Sequence, residues 1–187
     1  MSRSRLQELS EHGVSVWMDS LSREMLETGE LARLMEDGVV GVTSNPTIFQ
    51  KALSEGDWYD DRLRVVAAEI DDPVEQFIAL AQQDIRDACD LMAPVWELTG
   101  GVDGYVSLEV DPTLAYDRDA SFEQAMRFHQ EVDRRNLFVK IPGTEPGLGA
   151  IEDCIAQGRS INITLIFSLA RYEAVVEAYL RLSLIHI

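Results

Sequence analysis

The segment NLFVKIPGTEPG, residues 136–147, sets Lys140 among Phe138, Val139, Ile141 and Pro142, all suited to a buried strand. Lysine is almost never fully buried unless it is paired or put to use, and loss of water disfavours a charged ammonium. A desolvated lysine amine attacks carbonyl carbons and forms a Schiff base, an electron sink that lets a carbon–carbon bond beside a ketone break. That chemistry needs three kinds of help: an acid/base at the hydroxyl of the breaking bond, another for water loss during imine formation, and neutral donors for the ketose.

Residues of those kinds stand at strand spacing. Side chains alternate across a strand, so residues two apart share a face. Ser107 and Glu109 therefore share one face of VSLEV, Lys140 shares its face with Phe138, and Asn162 pairs with Thr164 in INITL. Asp19 ends a first apolar run, and Thr43 with Asn45 ends a second. Each has a plainer reading as well. Asp19 is placed to help cap a helix beginning at Ser22, and Asn45 before Pro46 is an ordinary turn signal. Glu109 and Lys140 are equally placed to form a buried ion pair without chemistry, and Asn162 and Thr164 to satisfy nearby backbone.

The elements that would position these groups alternate along the chain. A short helix from Ser4 to His12 ends at Gly13, followed by the apolar run VSVWM. Helical spacing over residues 22–36 runs through Gly29, and the second strand VVGVT follows Gly38. Two stretches with apolar residues three and four apart, DWYDDRLRVVAAEI and PVEQFIALAQQDIRDACDLMAPVWEL, form a helical insertion before the third strand. The strand YVSLEV precedes a helix for which Ser121 and Gln124 have capping-box spacing. LFVKI, the helical LGAIEDCIAQG, INITLIF and a helix from near Ser168 complete the chain. Apolar strands alternating with helices argue for a parallel α/β sheet covered on both faces. Both a doubly wound sheet and a β/α barrel fit that pattern, although no G-x-G-x-x-G follows the first strand.

Composition excludes several partners. Sixteen Lys and Arg against 33 Asp and Glu give a formal charge of -17, which disfavours nonspecific binding to nucleic acid or an anionic membrane. No apolar run approaches membrane-spanning length, and the N-terminus has no signal-peptide core. A cytoplasmic location is expected. Cys89 and Cys154 show no metal-site spacing and read as buried free thiols. His12, His129 and His186 show no ligand spacing, so no metal is expected. No G-x-S-x-G elbow marks a nucleophilic serine, and the glycines after Lys140 lack the Lys-Ser/Thr of a P-loop.

VWMDSLSR, GVVGVTSNPTIFQKAL, GYVSLEVDP, LFVKIPGT and INITLIFS follow the order and spacing of the transaldolases, and most resemble the longer bacterial form. The resemblance covers residues 13–181. It implies a class I aldolase-type (β/α)8 TIM barrel needing no metal or organic cofactor. By it, Lys140 is the Schiff-base lysine and Asp19 the acid/base at the hydroxyl whose deprotonation breaks the bond. Glu109 moves protons through a water that Thr164 helps hold, and Asn45 and Asn162, with Thr43 close by, bind the dihydroxyacetone unit. The implied reaction moves that unit from sedoheptulose 7-phosphate to glyceraldehyde 3-phosphate, a step of the pentose phosphate pathway. A fructose 6-phosphate aldolase, a fusion with a sugar-phosphate isomerase and a noncatalytic sugar-phosphate-binding module stay open as alternatives. Oligomeric state is not readable.

The pattern also breaks. An eight-stranded barrel takes about 250 residues, whereas this chain has 187 and five candidate strands. The family's phosphate-binding arginines have no counterpart. Residues 1–181 are thus expected to be a partial barrel of about the first five strands, with the helical insertion between strands 2 and 3. The final LSLIHI, residues 182–187, matches the translation of a transposase sequencing adapter and is expected to be a non-native tail. Alone, the chain is expected to be inactive, because an open parallel edge leaves apolar surface uncovered.

Overall fold

The computed structural model describes residues 4–54 and 56–183. The order of elements is α1 (Arg5–Glu11), β1 (Trp17–Met18), α2 (Arg23–Glu27), α3 (Glu30–Glu36), β2 (Gly41–Thr43), α4 (Pro46–Ser54), α5 (Asp60–Glu69) and α6 (Pro73–Leu98). It continues with β3 (Tyr105–Glu109), a 3-10 turn at Pro112–Leu114, α7 (Arg118–Val132), β4 (Leu137–Pro142), α8 (Glu145–Ala156), β5 (Ile161–Thr164) and α9 (Leu169–Ser183). Two compact units partition them: one runs to Val106 and includes Arg134–Asn136, the other comprises Ser107–Asp133 and the chain from Leu137 on. Residues 184–187 of the expected tail lie outside the described residues.

In the first unit β1 and β2 are parallel, with Trp17 opposite Gly41 and Met18 opposite Val42, and Gly104 at the start of β3 donates its N–H to Val40 O at 2.7 Å. In the second unit β4 lies between β3 and β5, and β4 and β5 are parallel from Val139 opposite Ile161 to Pro142 opposite Thr164. Strands thus neighbour one another in chain order, without the reversal that a doubly wound sheet makes at its switch point. Of the two architectures open from pattern, the barrel is the one this order fits, and the chain carries five of its strands.

Three boundaries differ from the sequence expectation. The helix expected over residues 22–36 is two helices, because Gly29 adopts a left-handed φ of 71° and starts α3 afresh. Glycine takes that conformation without the Cβ clash other residues meet. The cap of α7 is Asp117, which accepts from Ala120 N at 3.0 Å, not Ser121. Ser121 is buried inside the helix, its hydroxyl donating to Leu114 O at 2.8 Å, while Gln124 Oε1 accepts from Asp111 N at 2.6 Å. Finally, β5 stops at Thr164, whose carbonyl takes the Gly143 N–H at 2.7 Å. Leu165 turns away with φ 62° and is half exposed rather than lying behind the strand.

The first unit is held by α6, whose apolar face buries Ile78, Ala81, Ile85, Ala88, Cys89 and Met92. Asn136 is buried against it and donates from Nδ2 to Cys89 O and Gly104 O at 2.9 and 2.8 Å. Gly104, at φ 83°, has no room for a side chain, since a Cβ there would lie 2.3 Å from Trp96 N. A buried polar cluster joins α2, α5 and α6. Arg23 Nε donates to Asp84 Oδ1 at 2.9 Å and Nη2 to Asp87 Oδ2 at 2.8 Å. Tyr59 and Arg62 donate to the same Asp84 carboxylate at 2.6 and 2.9 Å. Burial alone would lower the Arg23 pKa, but the two carboxylates beside it raise it above its ordinary value.

In the second unit His129 is buried on α7 with Nε2 3.1 Å from Ser160 O. Burial and the Arg159 charge lower its pKa to about 4, against about 6.5 in an unfolded chain. The folded state therefore resists a proton that the unfolded state accepts between those values. Stability supplied by neutral His129 is complete above about pH 6.5 and is lost as pH falls toward 4, a change of about 2–3 kcal/mol. Urea unfolding at pH 7 and pH 4.5 should show a smaller acid loss in His129→Gln than in the parent; an equal loss would exclude this histidine as the cause.

Candidate functional site

Ser107 and Glu109 of β3, Lys140 of β4 and Asn162 of β5 gather in the second unit. Lys140 is 8% exposed despite its charge, because Val139 and Ile141 anchor the opposite face of its strand with no exposure at all. Val110 N donates to Lys140 O at 3.1 Å and ties β3 to β4 at this level. Lys140 Nζ lies 3.1 Å from Glu109 Oε2, and only 11% of either side chain is exposed. The contact expected as an ion pair is therefore present. The carboxylate lies within direct reach of the amine, a geometry suited to general acid–base exchange.

Asn162 is the register neighbour of Lys140 on β5. Its Nδ2 donates to Ser107 Oγ at 3.0 Å, reaching across β4 from one flanking strand to the other. Thr164 is half-buried and two residues further along the same face, opposite Pro142 at the carboxyl end of β5. The arrangement brings Lys140, Glu109 and Asn162 together, with Thr164 at their rim.

Asp19, Thr43 and Asn45 belong to the first unit, at the carboxyl ends of β1 and β2. Asp19 is exposed and follows Met18 directly. Capping of α2 falls to Ser22, which accepts from Met25 N at 3.2 Å. Beside Asp19 opens a cleft of about 310 Å³ lined also by Ser20, Lys51, Trp58 and Tyr59. Asn45 Oδ1 accepts from Ile48 N at 3.0 Å, so the turn reading of this residue holds, while the cap leaves its amide nitrogen as a donor. Thr43 is the last residue of β2 and is half-buried.

Cys89 and Cys154 are free and buried, and burial pushes both thiols up to about 12. Neither is a thiolate nucleophile near neutral pH. Among the described residues, no three His, Cys, Asp or Glu side chains are grouped to hold a metal ion, and no helix is long and apolar enough to cross a membrane.

Sequence reasoning missed two features. Ser107 was placed on the polar face but given no partner, although its spacing from Glu109 already put it beside the lysine strand. Asp84 falls on the apolar spacing of α6, between Ala81 and Ala88, and a carboxylate at a core position signals a buried cationic partner.

This chain is similar to known proteins over most of its length. The family model described as Transaldolase/Fructose-6-phosphate aldolase matches residues 16–185. A transaldolase of Parafrankia sp. (strain EAN1pec) is 51% identical over 176 residues, which is 94% of this chain and 48% of that protein. A transaldolase of Acidothermus cellulolyticus is 52% identical over 175 residues, 93% of this chain and 47% of its own length. One of Mycobacterium tuberculosis (strain CDC 1551 / Oshkosh) is 50% identical over 173 residues, 92% of this chain and 46% of its own. The chain spans about half the length of the curated relatives it matches. With the lysine, its carboxylate and the strand order all inside the matched range, the chain belongs to the transaldolase/fructose-6-phosphate aldolase family.

Proposed function

We propose that the whole protein is a transaldolase that carries a dihydroxyacetone unit on Lys140 from a ketose phosphate to an aldose phosphate. The observation that carries this reading is the buried Lys140 amine 3.1 Å from Glu109, within a chain about 50% identical to proteins named transaldolase. Sedoheptulose 7-phosphate and glyceraldehyde 3-phosphate are the proposed donor and acceptor, the pentose phosphate pathway the setting and the cytoplasm the location, in keeping with two free thiols.

In this reading the Lys140 amine attacks the ketose C2, and Glu109 takes up the proton released. Glu109 then protonates the carbinolamine hydroxyl, directly or through a water held with Thr164, and water leaves the iminium. Asp19 removes the proton of the C4 hydroxyl. The C3–C4 bond breaks, its electrons flow into the iminium as an enamine, and the aldose departs as an aldehyde. The enamine carbon attacks the acceptor aldehyde, Asp19 returns a proton to the new alkoxide, and hydrolysis frees Lys140. Asn45, Asn162 and Thr43 hold the hydroxyls of the three-carbon unit.

Borohydride added to the full-length protein with fructose 6-phosphate should fix a sugar-derived mass on Lys140, and the same protein should transfer the unit to an added aldose phosphate. An adduct mapping elsewhere, or none, would remove the reading. The family description also covers fructose 6-phosphate aldolases, which would release free dihydroxyacetone instead, so an assay for that product separates the two. Glu109→Gln keeps the shape of the side chain but gives up proton exchange. Its kcat should fall by about 10²–10³-fold, within the range for a general acid–base group. A fall of less than about threefold in a steady-state assay would assign Glu109 to charge pairing alone.

A further inference from the structure

We infer that Ser107 is a positioning residue for the keto-sugar site, acting through Asn162. This rests on the Schiff-base reading above and adds a residue to which that reading assigns no role. Ser107 is fully buried, on the same face of β3 as Glu109 and pointing to the side that carries Lys140. Its Oγ accepts a hydrogen bond from Asn162 Nδ2 at 3.0 Å. Asn162 stands beside Lys140 in the β4–β5 register, so this bond spans the lysine strand and closes a bracket around the amine, with Glu109 on the other flank.

An asparagine amide has a donor end and an acceptor end of nearly equal shape, and its partners decide which end faces where. A buried acceptor at Ser107 commits the nitrogen of Asn162 and leaves its Oδ1 as the free acceptor. A hydroxyl of a bound ketose is a donor, and an oxygen held in one place meets it without the cost of reordering the side chain. Without Ser107 Oγ the amide is free to turn, and the substrate meets the wrong end part of the time.

The test is a double-mutant cycle in the full-length protein, read separately for donor and acceptor sugars. Ser107→Ala should raise KM for the ketose donor about five- to tenfold, the scale of one lost hydrogen bond, with kcat and the KM of the aldose acceptor changed little. Ser107→Thr, which keeps the hydroxyl, should restore the donor KM. In an Asn162→Ala background, Ser107→Ala should add nothing, because the group through which it acts is gone. An equal loss in both backgrounds, or no rescue by threonine, would overturn the inference and make Ser107 a packing residue. Should the alanine variant fail to fold, Ser107→Cys, of similar size but a weak acceptor, carries the same cycle. Borohydride trapping on Lys140, measured alongside, keeps the two ideas apart: no adduct in the parent defeats the Schiff-base reading, whereas an adduct with additive losses defeats only the role of Ser107.

Discussion

Lys140→Met in the full-length protein is expected to lower turnover by at least about 10⁴-fold, the scale on which removal of a covalent nucleophile is felt. Methionine retains an unbranched, apolar chain of similar length, so the packing of β4 between Val139 and Ile141 is conserved while the amine is lost. Glu109 then loses its cation at 3.1 Å. Stability should change far less than activity. Two measurements check this: transfer of the three-carbon unit in a coupled assay, and the mass of the protein after borohydride treatment with ketose. Full activity in the methionine variant would end the covalent mechanism, whatever the fate of the fold assignment.

Arg23→Met should destabilise the first unit by about 3–5 kcal/mol, the cost of breaking one side of a buried ion pair. Arg23 is 5% exposed and Asp84 fully buried, and the arginine also reaches Asp87 and Glu27. Tyr59 and Arg62 would still contact the Asp84 carboxylate, but neither makes the paired Nε and Nη2 contacts that Arg23 gives it. The double variant Arg23→Met/Asp84→Leu should recover most of the loss, since exchanging both ions for apolar groups is often close to neutral. Urea unfolding of parent, single and double variants measures both effects. A single variant within about 1 kcal/mol of the parent would show that the cluster is not a structural anchor.

Much of the site was legible because strand alternation is strict. Lys140, Glu109 and Asn162 could be placed on one face from a period of two, and the structure puts them side by side. Helix limits were less legible. Gly29 sits inside a run whose apolar spacing continues through it, and only its left-handed backbone divides α2 from α3. At α7, Ser121 and Gln124 have the spacing of a cap, but tertiary partners at Leu114 and Asp111 engage both side chains and Asp117 takes over the helix end. The end of β5 was misread for a related reason. Leu165 and Ile166 are as apolar as the strand before them, and it is the Gly143 hydrogen bond to Thr164 that closes the ladder. The Arg23–Asp84 pair lies 61 residues apart in the chain, a separation that no local pattern bridges.

Lys140, Glu109 and Asn162 fall in one compact unit and Asp19, Thr43 and Asn45 in the other. Under the proposed chemistry, forming the covalent adduct falls to the unit bearing Lys140, and removing the C4 hydroxyl proton to the unit bearing Asp19. Loss of the Asp19 carboxylate alone would leave an enzyme able to seize its ketose and unable to divide it, a dead-end adduct instead of a silent protein.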